Sequence, residues 1–459
     1  MLTYSITKDG GKPLYEQLYD ALRGDILRGG LAGGERLPSK RALAEHLGIS
    51  KITVETAYAQ LLAEGYVLSR ERSGYFVATL EQGGLPEAAT APRREEPPET
   101  EQPAPVSARL FPYSVWARLM RGVILDQEAS LLRPVPAAGV YALRRAVADE
   151  LRRDRGMDVR PEQVVIGAGA EYFYSLLVQF LGRDRIFAFE EPFHRTIERA
   201  YRMNGARVAC IPMDGAGMRL DLLRSSGADV AHLSPSHHYP SGLVMPITRR
   251  RELARWLAEG EGRYIIEDEY DSEFTFSGRP IPTMQSMDAT GRVIFMNTFS
   301  RTIAPTLRIS YMVLPLSLTE AWREKMGFYS CAVPSFEQLT LARFLDEGYY
   351  ERHLRRMRKH YRAAGQRLME LLEAEPLRDF CTAERPEAGL HFLLRLHTDA
   401  EDEQLRAALA EAGLRAPLLA DHYSGEPPES ARGRVVIRYS GIEPESLRDA
   451  LLRLREILA

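Results

Sequence analysis

Lysine is scarce in this chain. Lys8, Lys12, Lys40, Lys51, Lys325 and Lys359 are six of its 60 basic residues, and arginine supplies the rest. Beyond residue 107, a reaction that needs a primary amine has only Lys325 and Lys359 to draw on. Cysteine is rarer still: Cys210, Cys331 and Cys381 are far apart and match no metal-ligand spacing, and a reducing cytoplasm is the expected compartment. No apolar run reaches the roughly 18–20 residues a membrane helix needs, and the N-terminus has no signal-peptide pattern, so no membrane role is expected. The net charge of -3 gives no overall attraction to nucleic acid, so a DNA-binding surface has to be local.

What is present is ample for more than one core. The chain has 459 residues, and its 45% hydrophobic and 27% charged content is that of globular domains. Residues 80–107, EQGGLPEAATAPRREEPPETEQPAPVS and its flank, hold almost no large apolar side chain. Such a stretch cannot bury enough surface to offset its ordering entropy, and it reads as a semi-extended linker. It separates a unit over 1–79 from one over 108–459. In the larger unit the short apolar runs VVIGAG (164–169), RIFAFEE (185–191), VAHLSP (230–235), RYIIEDEY (263–270) and RVIFMNTFS (292–300) alternate with amphipathic helical stretches. That alternation predicts an α/β fold with a mainly parallel sheet covered on both faces, followed by a smaller C-terminal α+β subdomain.

In the first unit, Leu14, Leu18, Leu22 and Ile26, with Tyr15 and Leu27, mark one face of a helix that ends at Gly29-Gly30. A short helix opens at Pro38-Ser39. Ser50 caps a third, whose Val54, Ala57, Tyr58, Leu61 and Leu62 keep helical spacing. GYVLSR and SGYFVA then form a hairpin around ERSG, completing a winged helix-turn-helix. Lys51 and Thr53 lie at the N-terminal end of the third helix, the end that reaches base edges in a major groove. Ser39, Lys40 and Arg41 are placed to hold the phosphate backbone, Arg70 and Arg72 flank the wing tip, and Gly74 allows its turn.

The run LPSKRALAEHLGISKITVETAYAQLLAEGYV, followed by SGYFV, resembles the GntR-type winged helix over nearly the whole unit. The large unit resembles fold type I aminotransferases. GVYALRRAVADELRRDRG, VVIGAGAEY, PSHHYPSGLVMPITRR, IIEDEYDSEF, NTFSRTIAPTLRISYMVLP, VPSFEQ and YYERHLRRMR together carry that likeness. A GntR-type head on an aminotransferase-like domain resembles the MocR subfamily of transcription regulators. The resemblance implies a cytoplasmic homodimer that binds a double-stranded DNA operator and a small-molecule effector, with heads able to cross to the partner's large domain.

It also implies a site for pyridoxal phosphate. Asp268 matches the carboxylate facing the pyridine nitrogen, Tyr270 the hydroxyl beside the phenolic oxygen, and Phe193 the aromatic cover. Gly169, Ala170 and Glu171 match the phosphate-binding helix start, with Thr298, Ser300 and Arg308 as further phosphate contacts, although Ala170 lacks the hydroxyl common there. Arg438 matches the arginine that pairs with a substrate carboxylate. The Schiff-base lysine should follow Ser300, and the residue there is Arg301. A guanidinium stays protonated and cannot attack an aldehyde or shuttle a proton, so the usual lysine chemistry is not expected.

The leading expectation is therefore a ligand-responsive regulator that is not an enzyme. It would take pyridoxal phosphate or pyridoxamine phosphate non-covalently, or as an amino-acid adduct, with Arg301 on phosphate or carboxylate. An Arg301–Asp268 pair is expected if the site holds nothing. Two other readings stand beside it: an aminotransferase tethered to DNA, and a large domain that is only a dimerisation scaffold.

Overall fold

Helical apolar spacing in the first 79 residues becomes a three-helix core. Helices α1 (Leu14–Leu27), α2 (Lys40–Leu47) and α3 (Lys51–Ala63) are followed by strands β1 (Val67–Arg70) and β2 (Gly74–Val77). This is a computed structural model, and it describes residues 2–4, 6–7, 11–79, 109–276, 282–385 and 389–459. They fall in two units, Met1–Glu101 and Gln102–Ala459. The segment read as a linker lies outside the described residues.

In the first unit Leu18, Leu22, Leu43, Val54, Ala57, Tyr58 and Leu61 have no exposed surface, each large aliphatic side chain contributing on the order of 1.5–3 kcal/mol of burial. Ser39 starts α2 by accepting the amide of Ala42 at 3.2 Å, and Gly48 stops it in the left-handed conformation (φ 67°). Ser50 starts α3 in the same way, accepting the Thr53 amide at 3.1 Å. Both caps satisfy amides that the helix leaves unpaired. β1 and β2 pair antiparallel from Val67–Val77 to Arg70–Gly74. Two expected core residues face outward instead. Leu27 is 55% exposed, at the end of α1, and Leu62 is 39% exposed because it lies one residue, or about 100°, round the helix from buried Leu61.

The large unit is built on an eight-stranded sheet in the order β3-β10-β9-β8-β7-β4-β5-β6. Its strands are β3 (Val164–Gly167), β4 (Ile186–Glu191), β5 (Arg207–Asp214), β6 (Gly217–Met218), β7 (Val230–Leu233), β8 (Tyr264–Asp268), β9 (Val293–Thr298) and β10 (Ser310–Val313). β5, β4, β7, β8 and β9 are parallel neighbours. β10 runs antiparallel to both β9 and β3. Ala188, Val230, Ala231, Ile265, Ile266 and Ile294 are fully buried, as strands covered on both faces require. A second sheet, β11 (Cys381–Glu384), β12 (His391–Leu396) and β13 (Arg434–Arg438), is antiparallel and shares a core with helices Tyr349–Glu373 and Pro444–Leu458. The expected α/β architecture with a smaller α+β part is the one observed.

Candidate functional site

In an open parallel sheet, ligands sit beyond the carboxyl ends of the strands. Here β4, β7, β8 and β9 end at Glu191, Leu233, Asp268 and Thr298, and a cavity of about 340 Å³ opens beside them. Ala170, Glu171, Phe193, Asp268, Tyr270, Thr298, Ser300, Arg301, Arg308 and Arg438 all line it. Gly169 does not. It precedes helix Ala170–Leu181 at φ 93°, and a Cβ there would run into the guanidinium of Arg308. Arg308 is itself left-handed (φ 50°) and pairs with Glu171.

Asp268 is held from behind. Its Oδ2 accepts the Tyr174 hydroxyl at 2.7 Å and lies 3.2 Å from His232 Nε2. The Tyr201 hydroxyl is 3.0 Å from His232 Nδ1, so donation by Tyr201 fixes the tautomer in which Nε2–H faces the carboxylate. Burial and the nearby Asp268 push the Tyr174 hydroxyl well above its ordinary value, which keeps it a donor. Asp268 faces His232, and no ion pair among the described residues joins it to Arg301.

Tyr270 has a separate support. Its hydroxyl lies 3.2 Å from His237 Nδ1 and 3.5 Å from His391 Nδ1. Asp271 faces the same His237 nitrogen at 2.9 Å and accepts the Leu390 amide at 3.1 Å. All of these side chains are at least nine-tenths buried, except that of Tyr270, which borders the cavity. Burial lowers the His391 imidazole well below its usual range and raises the Tyr270 hydroxyl. Across the cavity, Arg438 donates to the Tyr239 hydroxyl at 2.6 Å and covers that ring at 4.7 Å. Glu190 and His238 face each other at 3.9 Å, and burial moves the carboxyl up to about 7 and the imidazole down to about 3, so both are neutral near pH 6.

Sequence reasoning missed this supporting layer of His232, His237, His238, Asp271, His391, Tyr174 and Tyr239. It also passed over His194, which lines the cavity beside Phe193 with a buried, unpartnered Nδ1. The signal for three of them was in plain view as the SHHY run after β7. Lys325 and Lys359 are both exposed, and neither lines the cavity.

In the first unit the residues expected at DNA divide. Arg41, Lys51, Arg70 and Arg72 are exposed, and Ser39 and Ser50 act as caps. The Lys40 amine is taken up by Glu55 at 2.7 Å and lies 5.2 Å from the Tyr75 ring. The Thr53 hydroxyl is 2.8 Å from that of Ser50. Arg72 takes the left-handed turn position itself (φ 58°), with Gly74 at φ 104°.

Residues 14–77 match the family described as bacterial regulatory proteins, gntR family. The chain is 33% identical to the probable rhizopine catabolism regulatory protein MocR of Rhizobium meliloti, over 98% of this chain and 94% of that one. It belongs to the MocR-type regulators. A second relative, the uncharacterized HTH-type transcriptional regulator YhdI of Bacillus subtilis, is 35% identical over 99% of this chain and 97% of its own. The HTH-type pyridoxine biosynthesis transcriptional regulator PdxR of Corynebacterium glutamicum is 29% identical over 96% and 95%. The large unit of this regulator has the aminotransferase fold. The kynurenine aminotransferase of Pyrococcus horikoshii superposes with a TM-score of 0.66 at 21% identity, covering 76% of this chain and 88% of that one. The protein is thus a DNA-binding transcription regulator with an aminotransferase-like domain. No helix among its described residues is long and apolar enough to cross a membrane.

Proposed function

We propose that the regulator senses an anionic, phosphate-bearing B6 species in the large-domain cavity, without covalent attachment and without turnover. One observation carries this reading. The cavity presents Asp268, Tyr270, Arg301, Arg308 and Arg438 together, while the two lysines of the large unit are exposed and stand away from it. The residues fit such a group. The buried Ser300 Oγ has no hydrogen-bond partner, Arg308 fills the space left by the missing Cβ of Gly169, and both Ser300 and Arg308 line the cavity, which supports a phosphate subsite there. About 340 Å³ also suits a single substituted pyridine.

In this arrangement Asp268, backed by Tyr174 and His232, would hold the ring nitrogen protonated, and Tyr270 would donate to the ring oxygen. Arg438 and Arg301 supply two further anion contacts, which favours pyridoxamine phosphate or an amino-acid adduct of pyridoxal phosphate. Bound pyridoxal phosphate supplies an electron sink, but Arg301 can neither give up a proton nor form a carbon–nitrogen bond. Ligand binding would act on the operator through differential affinity for two arrangements of the molecule. A homodimer as the working unit is what the likeness to fold type I aminotransferases implies.

Equilibrium titration tests the reading. The purified regulator should bind pyridoxamine phosphate reversibly and should lose it on dialysis. Arg301→Lys should convert bound pyridoxal phosphate into a borohydride-reducible attachment to residue 301, which the parent never forms. Absence of binding by every B6 phosphate, with and without amino acids, refutes the proposal, as does turnover of an amino-acid donor by the parent protein.

A further inference from the structure

α3 is an unusual reading helix. Ile52, the second residue of its first turn, is 74% exposed, more than any other large apolar side chain of the first unit. Glu55, Thr56 and Ala59, at the i+3, i+4 and i+7 positions, are exposed on the same face. Most of the polar groups on and beside this face are already occupied. The Glu55 carboxylate is paired with Lys40 at 2.7 Å, the Thr56 hydroxyl donates to the Ile52 carbonyl at 2.9 Å, and the Thr53 hydroxyl faces Ser50 at 2.8 Å. Hydrocarbon remains: the Ile52 side chain and the methyl groups of Thr56 and Ala59. Lys51 and Arg41 flank it, exposed and without an ion pair among the described residues.

An apolar strip on the solvent face of a monomer's helix is costly to leave in water, yet here it lies on the element a winged helix inserts into DNA. The major groove offers one hydrocarbon group, the 5-methyl of thymine. From residue 52 to residue 59 the helix advances roughly 10 Å, about three base steps at 3.4 Å each. We infer that Ile52, continued by Thr56 and Ala59, is a specificity determinant that reads thymine methyl groups in the operator major groove, with Lys51 and Arg41 anchoring the backbone on either side. This differs from reading by a bidentate arginine or amide, and nothing on this face of α3 supplies either. Gln60 lies at the edge of the buried side and is half-buried.

Full-length regulator selected against a pool of duplexes with randomised centres supplies the probe. Each thymine of the recovered duplex is then replaced singly by uracil, which keeps every hydrogen-bonding group and removes only the methyl. At one to three positions per half-site the affinity should fall about fourfold, the equivalent of roughly 0.8 kcal/mol for one buried carbon. Ile52→Ala should bind the parent duplex more weakly and show no uracil effect at those positions. Its fold is safe because the side chain is exposed. Three results overturn the inference: a recovered site without thymine, uracil that is neutral everywhere, or an Ile52→Ala protein with the parent's uracil sensitivity. If Ile52→Ala instead changes self-association while DNA affinity is untouched, the strip is a protein contact and the inference fails as well.

Discussion

Removing one oxygen from Tyr174 tests the support beneath Asp268. In Tyr174→Phe the ring stays packed at 5.7 Å from Tyr201 and 5.5 Å from His232, and only the 2.7 Å hydrogen bond to Asp268 disappears. Hydrogen bonds to charged acceptors contribute about 1.5–3 kcal/mol. His232 cannot make up the loss, because its other ring nitrogen is already engaged by Tyr201. Tyr174 is buried, with 5% of its surface exposed at the cavity wall, so replacing its hydroxyl by water carries a cost. A destabilisation of about 2 kcal/mol is expected, read as a lower denaturant midpoint for the large unit with an unchanged m-value. Combining it with Asp268→Asn in a double-mutant cycle should recover a coupling of at least about 1 kcal/mol. Additive effects, or a Tyr174→Phe protein within about 0.5 kcal/mol of the parent, refute the idea that this hydroxyl holds the carboxylate in place.

Glu190 should make stability depend on pH. Burial raises its carboxyl from 4.5 to about 7, so its stabilising contribution is full below the lower value and is lost as pH rises through the higher one. Glu190→Gln cannot titrate, and from about pH 5 to about pH 8 it should gain roughly 2–3 kcal/mol on the parent in parallel unfolding curves; a constant difference contradicts this. Ser50→Ala should cost the start of α3 about 1 kcal/mol. Amide exchange over residues 51–54 should then speed up about fivefold, with Ser50→Asp restoring protection.

Much of this molecule could be read from residue order because its signals are local. All five apolar runs singled out as strands became β3, β4, β7, β8 and β9. The caps at Ser39 and Ser50 depend on three-residue contacts. β5 was not legible, since its Arg207, Pro212 and Asp214 interrupt the apolar pattern, and β10 was not singled out although at four residues it is as long as β3 and β7. Ten cavity-lining residues, among them Asp268, Tyr270, Arg301 and Arg438, were anticipated because their segments carry motifs, whereas Tyr174, His194, His232, His238 and Tyr239, which also line the cavity, were not. The layer behind it was not, because His237, Asp271 and His391 come from three segments and meet only when β12 is placed against the loop after β8. Lys40 shows the opposite limit. Sequence gives its charge, but only the fold reveals that Glu55 has already claimed it.

Gly389 shows how an absent side chain can set a position. It leads into β12 with φ 67°, and a Cβ there would collide with the ring of His237 and press on Asp271. The main chain therefore passes the imidazole at a distance that even a methyl group would forbid. Attraction alone does not fix where the small sheet meets this ring, since the chain there has been stripped to hydrogen. Position 389 is in effect the pivot clearance of the cavity. Enlarging it would displace His237, then the hydroxyl of Tyr270, before any residue facing the cavity had been altered.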